Sequence, residues 1–175
     1  MAKPAAIRQA LARLVKAGKL RRIRRGLYER PRTHPILGQT PSNPLAVAEA
    51  MMRARQASWQ VSGAYAANLL GLSEQVPTQL IVNTSASVSS VNLGNATIRF
   101  RRVTPSGLLG AGRPAGTVIQ AIRYLGPNGV GPAVTGQLRK QLEPATKTEL
   151  EKLTPELPRW MQPVMHEITA PAAAS

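Results

Sequence analysis

Ile7-Arg-Gln-Ala-Leu-Ala-Arg-Leu-Val-Lys-Ala-Gly18 runs directly into Lys19-Leu-Arg-Arg-Ile-Arg-Arg-Gly-Leu-Tyr28. In the first half Ile7, Leu11, Leu14 and Val15 recur at helical spacing, and Gln9, Ala12, Arg13 and Lys16 fall on the other side. Pro4 suits a first helical turn and Gly18 a residue just past the last. In the second half Leu20 to Ile23 and Leu27 to Tyr28 flank Arg24-Arg25-Gly26, which predicts a small basic hairpin with Gly26 in its turn. Leu20 and Ile23 are three apart, so strict alternation fails; a bulge or a very short strand is expected there.

Residues 1–32 hold 11 of the chain's 23 Lys and Arg residues and one acid, Glu29, a formal +10 that leaves +5 for the remainder. Solvated charged faces usually mix signs, and this one does not. A basic helix followed by a basic hairpin corresponds to the two parts of a winged helix-turn-helix that touch DNA. Gln9 and Arg13 are placed to read base edges, and Arg8, Lys16 and Lys19 to meet phosphates. Arg21, Arg22, Arg24 and Arg25 would lie along the backbone or enter the minor groove, releasing counterions. A complete winged helix has two helices ahead of its recognition helix. This sequence opens at the recognition helix, so a partial, N-terminally truncated module is expected.

The net charge of +15 and pI near 11.6 attract polyanions. Nucleic acid is the first candidate partner, and an anionic membrane surface or an acidic protein the second. There is no Cys and no Asp, which removes disulfides and thiolate metal sites and favours a cytoplasmic setting. No stretch approaches a membrane-spanning length. His34 and His166 are the only histidines and lie far apart in the sequence, one in a Pro-rich arm and one near the C-terminus. No nucleophile elbow surrounds any Ser. Glu149 and Glu151 face apart on a helix, so carboxylates do not cluster. Neither catalysis, nor a cofactor, nor a metal is expected. Gly107-Leu-Leu-Gly110-Ala-Gly112 has the wrong spacing for a phosphate-cradling loop and is expected to be mobile.

Residues 33–44, with Pro35, Pro41 and Pro44, predict a linker. Residues 45–168 predict a mixed α/β domain: a helix from Leu45, a strand at 58–61, a small-residue helix at 63–70 and a buried strand at 78–84. A hairpin follows around Gly94-Asn95, then a helix at 117–125 and helices at about 132–142, 146–153 and 158–168. Residues 169–175 predict a disordered tail. On the second hairpin strand Arg99 and Arg101 alternate with Ile98 and Phe100, and with Arg102 they make a possible second basic surface. Trp59 and Trp160 are expected to anchor packing, while Tyr65 and Asn68 are open to a functional role. The fold class is thus α+β: a partial winged helix, then a small mixed domain with C-terminal helices.

Ala10 to Tyr28 resembles the end of the winged-helix domain in AbiEi-family antitoxins. Ser62-Gly-Ala-Tyr-Ala-Ala-Asn-Leu-Leu-Gly71 with Leu72-Ser-Glu-Gln-Val-Pro77 is similar to the start of their second domain, and Pro158-Arg-Trp-Met-Gln-Pro-Val-Met165 to their C-terminal motif. The resemblance implies a bacterial type IV toxin–antitoxin component. Such a protein binds inverted repeats in its own promoter and counteracts a nucleotidyltransferase toxin, generally without a stable complex. It carries the DNA role onto Arg8, Arg13, Lys16, Arg21, Arg22, Arg24 and Arg25. The alternative is a basic interaction module that neutralises an acidic partner or toxin by direct binding. RNA binding lacks the expected aromatic platform.

Overall fold

The structure is a computed structural model that describes residues 4–36, 38–75 and 77–171. It is mixed α+β. Helix α1 (Pro4–Lys16) ends in a Schellman motif: Gly18 takes φ +67°, its N–H donates to Val15 O, and the Lys19 N–H donates to Leu14 O. Strands β1 (Arg21–Arg24) and β2 (Leu27–Glu29) form an antiparallel hairpin whose register slips between Arg22 and Arg24. The extra residue is Ile23. The bulge lets it pack, with Leu27, against the main core, so the broken alternation in the sequence has a physical use. The segment predicted as a linker contains its own small hairpin, β3 (Thr33–His34) with β4 (Gly38–Gln39). The predicted tail also starts too early, since α7 continues to a buried Thr169; residues 172–175 lie outside the described residues.

Four strands make the central sheet: β5 (Trp59–Ser62), β6 (Gln79–Thr84), β7 (Val91–Asn92) and β8 (Thr97–Arg102), in the order β5-β6-β8-β7. Only the β6–β8 pair is parallel. Pleating gives the sheet two unlike faces. Val61, Leu80, Val82 and Ile98 meet Val47, Ala48, Met51 and Met52 of α2 (Pro44–Arg53) in one apolar cluster. With few aromatics available, Met and Ala fill this core. Asn43 caps α2 through its side-chain oxygen, which accepts from the N–H groups of Leu45 and Ala46. The opposite face carries Gln60, Ser62, Asn83, Arg99 and Arg101, and α4 (Pro114–Gly129) lies beside it.

Helix α4 joins the two halves of the molecule. Ala121 belongs to the sheet cluster, while Ala115, Val118, Ile119 and Ile122 belong to a second cluster. That cluster is completed by α5 (Pro132–Gln141), α6 (Pro144–Leu153) and α7 (Met161–Thr169), through Leu138, Leu150, Met161, Met165 and Ile168. Trp59 packs on the first cluster and Trp160 on the second. The small-residue helix α3 (Ala64–Leu69) buries Ala66 and Ala67 and leans on α4. Asn68, open to a functional role in the sequence, instead donates to the carbonyls of Ser73 and Gln75 and ties down the turn after α3.

The Gly-rich loop expected to be mobile is pinned. Gly107 O accepts from Gln120 and the Gly112 N–H donates to Gln60. Gly110 crosses the start of α4 so closely that a Cβ there would sit 2.7 Å from Gly116 N, and a Cβ on Gly116 would land in the Gly110 carbonyl. Gly116→Ala should therefore lower stability by about 2–3 kcal/mol, read from urea unfolding. Gly136→Ala, in open space within α5, should raise it by about 0.5–1 kcal/mol. Equal effects at the two positions would show that the loop yields and the close crossing is unimportant.

Candidate nucleic-acid interface

Helix α1 and the β1–β2 hairpin enclose a groove of about 610 Å³. Arg8, Leu11, Ala12, Val15 and Lys16 line it from the helix, and Arg22, Arg25, Gly26 and Tyr28 from the hairpin. Leu11, Val15 and Tyr28 are half-buried and make an apolar floor; Arg8, Lys16, Arg22 and Arg25 are exposed at its rim. No acidic residue lines it among the described residues. The groove therefore combines four unopposed cations with a surface able to lie against a sugar or a base edge.

The other candidates separate into distinct positions. Gln9, Arg13 and Lys19 are exposed and lie outside the groove lining. Arg24 is half-buried, and its Nη1 is shielded from solvent without a hydrogen-bond partner. Arg21 differs most from its expected place among the DNA contacts, because its guanidinium is consumed inside the molecule. It donates to Ser42 Oγ at 2.9 Å and to Thr40 O at 2.9 Å, and pairs with Glu29 at 3.4 Å. The Ser42 hydroxyl in turn donates to Glu29. Arg21 and Glu29 are cross-strand partners in the hairpin register, so the first acid in the chain compensates a cation that is bonded inside the molecule. Gln39 adds a link by donating to Gly18 O at the end of α1.

The apolar face expected to be the inner side of α1 is not buried. The helix buries none of its residues, and Ile7 and Leu14 are 49% and 37% exposed. Leu11 and Val15 are half-buried beside the hairpin, but among the described residues no element packs across Ile7 and Leu14.

The second basic surface also divides. Alternation along β8 places Arg99 and Arg101 on the polar face of the sheet and Arg102 on the opposite one. Arg101 Nε donates to Asn83 Oδ1 at 2.9 Å and its Nη2 to Ser62 Oγ at 3.2 Å. The buried Asn83 donates to Gln120. Sequence reasoning placed Arg123 beyond the basic strand but passed over Ser62, Asn83 and Gln120 as parts of this network. The signal was available: Asn83 and Gln120 each interrupt an apolar run, Leu80-Ile-Val-Asn-Thr84 and Val118-Ile-Gln-Ala-Ile122. Burial pulls the Arg123 guanidinium below its ordinary pKa.

His34 and His166 remain on separate elements, β3 and α7. Among the described residues no three of His, Cys, Asp and Glu converge as metal ligands would, and no helix is long and apolar enough to cross a membrane.

This architecture defines a small α+β protein with a strongly basic helix–hairpin at its N-terminal end. The DUF6088 family, described as a family of unknown function, matches residues 1–150, and the chain belongs to it. No curated protein and no solved structure matches the chain.

Removing Arg21 should loosen the hairpin rather than a binding surface. Arg21→Ala should cost about 1–2 kcal/mol and speed amide exchange across residues 21–29. Arg25→Ala should leave both unchanged. Unaltered exchange in Arg21→Ala would contradict the internal role.

Proposed function

We propose that this protein is a non-catalytic, DNA-binding transcriptional regulator that contacts its site through α1 and the β1–β2 hairpin, acting as the recognition helix and wing of a winged helix-turn-helix. The observation that carries the reading is the groove between them, rimmed by Arg8, Lys16, Arg22 and Arg25 without an acid. Cations so placed can neutralise phosphates on one side of a duplex and release their counterions. Gln9 and Arg13, exposed on the same helix, supply the donors for base edges. Arg24 carries an unmet donor at the adjacent turn, and a phosphate oxygen reached by a rotation of that side chain would satisfy it. The internal use of Arg21 supports the reading as well: one arginine is spent fixing the hairpin, and its neighbours remain free to project.

The resemblance to AbiEi-family antitoxins supports a more specific role. In it the protein represses its own promoter at inverted repeats and counteracts a nucleotidyltransferase toxin. Direct contact with the toxin is not required by this reading.

Fluorescence anisotropy with the upstream region tests the proposal. Binding should fall with salt at a log–log slope of about −4, since each neutralised phosphate contributes ~0.9 and four cations rim the groove. Arg22→Glu with Arg25→Glu should weaken binding by more than about tenfold and flatten the slope by about 2. Equal affinity for unrelated duplexes would remove sequence-specific regulation from the proposal. No binding at low salt would remove DNA altogether. Loss of a co-purifying acidic protein in the same double variant, with DNA binding intact, would favour the interaction module instead.

A further inference from the structure

A second cationic site lies away from α1, between the polar face of the central sheet and α4. The cleft has a volume of about 710 Å³, within the range of small-molecule sites. Arg101 enters it from β8 and Arg123 from α4, and Ser62, Asn83 and Gln120 form its inner wall. Those three are buried, at 6%, 2% and 3% exposure.

The wall is a directed relay of hydrogen bonds. Gln120 donates to Gly107 O, Asn83 donates to Gln120 Oε1, and Arg101 Nε donates to Asn83 Oδ1. Each amide is thereby fixed in orientation. Arg123 is held by a single bond from its Nη2 to Ser106 O at 3.1 Å. Every acceptor in this set is neutral. The four ion pairs among the described residues join Arg21, Arg53, Arg113 and Arg139 to glutamates and include neither Arg101 nor Arg123. Among the described residues no carboxylate lines the cleft. Two guanidiniums are thus positioned by uncharged groups, with donors unspent and their charge uncompensated beside a partly desolvated wall. Arg101 is exposed and Arg123 half-buried, so both guanidiniums are open to a ligand while neutral acceptors fix their geometry.

The complement to two planar guanidinium forks is a tetrahedral oxyanion, which they can hold through paired N–H donors. A single phosphate fills only a fraction of the cleft. Tyr124, 50% exposed, stands at its mouth as a stacking surface, and Gln79 and Thr78 offer polar contacts nearby. We propose that this cleft binds a nucleoside phosphate, with the phosphate held by Arg101 and Arg123 and the base against Tyr124. The site is independent of the DNA interface, and its failure would leave that reading untouched.

Isothermal titration with AMP, GMP, CMP and UMP, each titrated separately, tests this, with the matching nucleosides and inorganic phosphate as controls. At least one nucleotide should bind saturably with one site per chain, about tenfold or more tighter than its nucleoside, the difference one charge-assisted contact supplies. Arg101→Gln and Arg123→Gln should each weaken it about tenfold, and Tyr124→Ala should weaken the nucleotide without changing the affinity for phosphate. Arg22→Glu with Arg25→Glu should leave it unchanged. No saturable binding by any of the four, or nucleosides binding as well as nucleotides, would overturn the proposal. So would equal losses in the hairpin variant, which would reveal nonspecific attraction to net charge. A single-stranded oligonucleotide that binds through Arg101 and Arg123 while mononucleotides do not would assign the cleft to a nucleic-acid track instead. If both glutamine variants lose their circular-dichroism signal, the wild-type contrast between nucleotide and nucleoside, with Arg101→Lys as the milder change, decides.

Discussion

Asn83 and Gln120 meet at 3.0 Å where neither side chain is more than a few per cent exposed. A buried amide without a partner costs about 1–3 kcal/mol, so each of these two requires the other. Their bond fixes the distance between the sheet and α4. Because α4 also carries the second hydrophobic cluster, it sets where the C-terminal helices dock against the sheet. The same bond orients the Asn83 oxygen that holds Arg101 and the Gln120 amide that holds the Gly107 carbonyl. A polar contact in the middle of the chain therefore specifies the joint between two apolar cores, a task that close packing of aliphatic side chains performs with less directional precision.

The N-terminal end is organised by the opposite strategy. Its fixed point is an ion pair, Arg21 with Glu29, stitched to Ser42 and the Thr40 carbonyl. An exposed pair of this kind contributes little. Here the partners are partly shielded and several bonds share the guanidinium, so the group acts as a clasp between the first hairpin and the chain that follows it. Ile23 and Leu27 add the apolar attachment. The remaining cations of the hairpin carry no structural duty of comparable extent, which concentrates uncompensated charge on one side.

Much of this was legible in the residues, and the failures have identifiable causes. The bulge at Ile23 followed from its three-residue spacing from Leu20, and the β7–β8 hairpin followed from Gly94-Asn95. The end of α1 followed from Gly18. Arg21 was grouped with the other wing cations because its partners Thr40 and Ser42 are distant in sequence. Its pairing with Glu29 emerges only once the hairpin register is set. The loop around Gly110 looked free because glycine marks both flexibility and close approach, and only the position of Gly116 across from it decides between them. The amide wall behind Arg101 was missed because Asn83 and Gln120 lie 37 residues apart, and each alone looks like a minor flaw in an apolar run. The apolar stripe on α1 was correctly located, but a stripe in a sequence does not say what covers it.

That stripe has a thermodynamic consequence. A 13-residue helix is marginal in water on propensity alone, and most helices in proteins are held by the face they bury. Helix α1 buries no residue, so its order depends on its capped C-terminus and the half-buried Leu11 and Val15. With so few buried contacts, its local free energy of opening is low. Any partner that lies along it supplies the burial that it lacks and orders the helix in the act of association. The observed affinity would then be the contact energy less the cost of that ordering. Warming, which frays such a helix, would weaken recognition before it unfolds the two cores behind it.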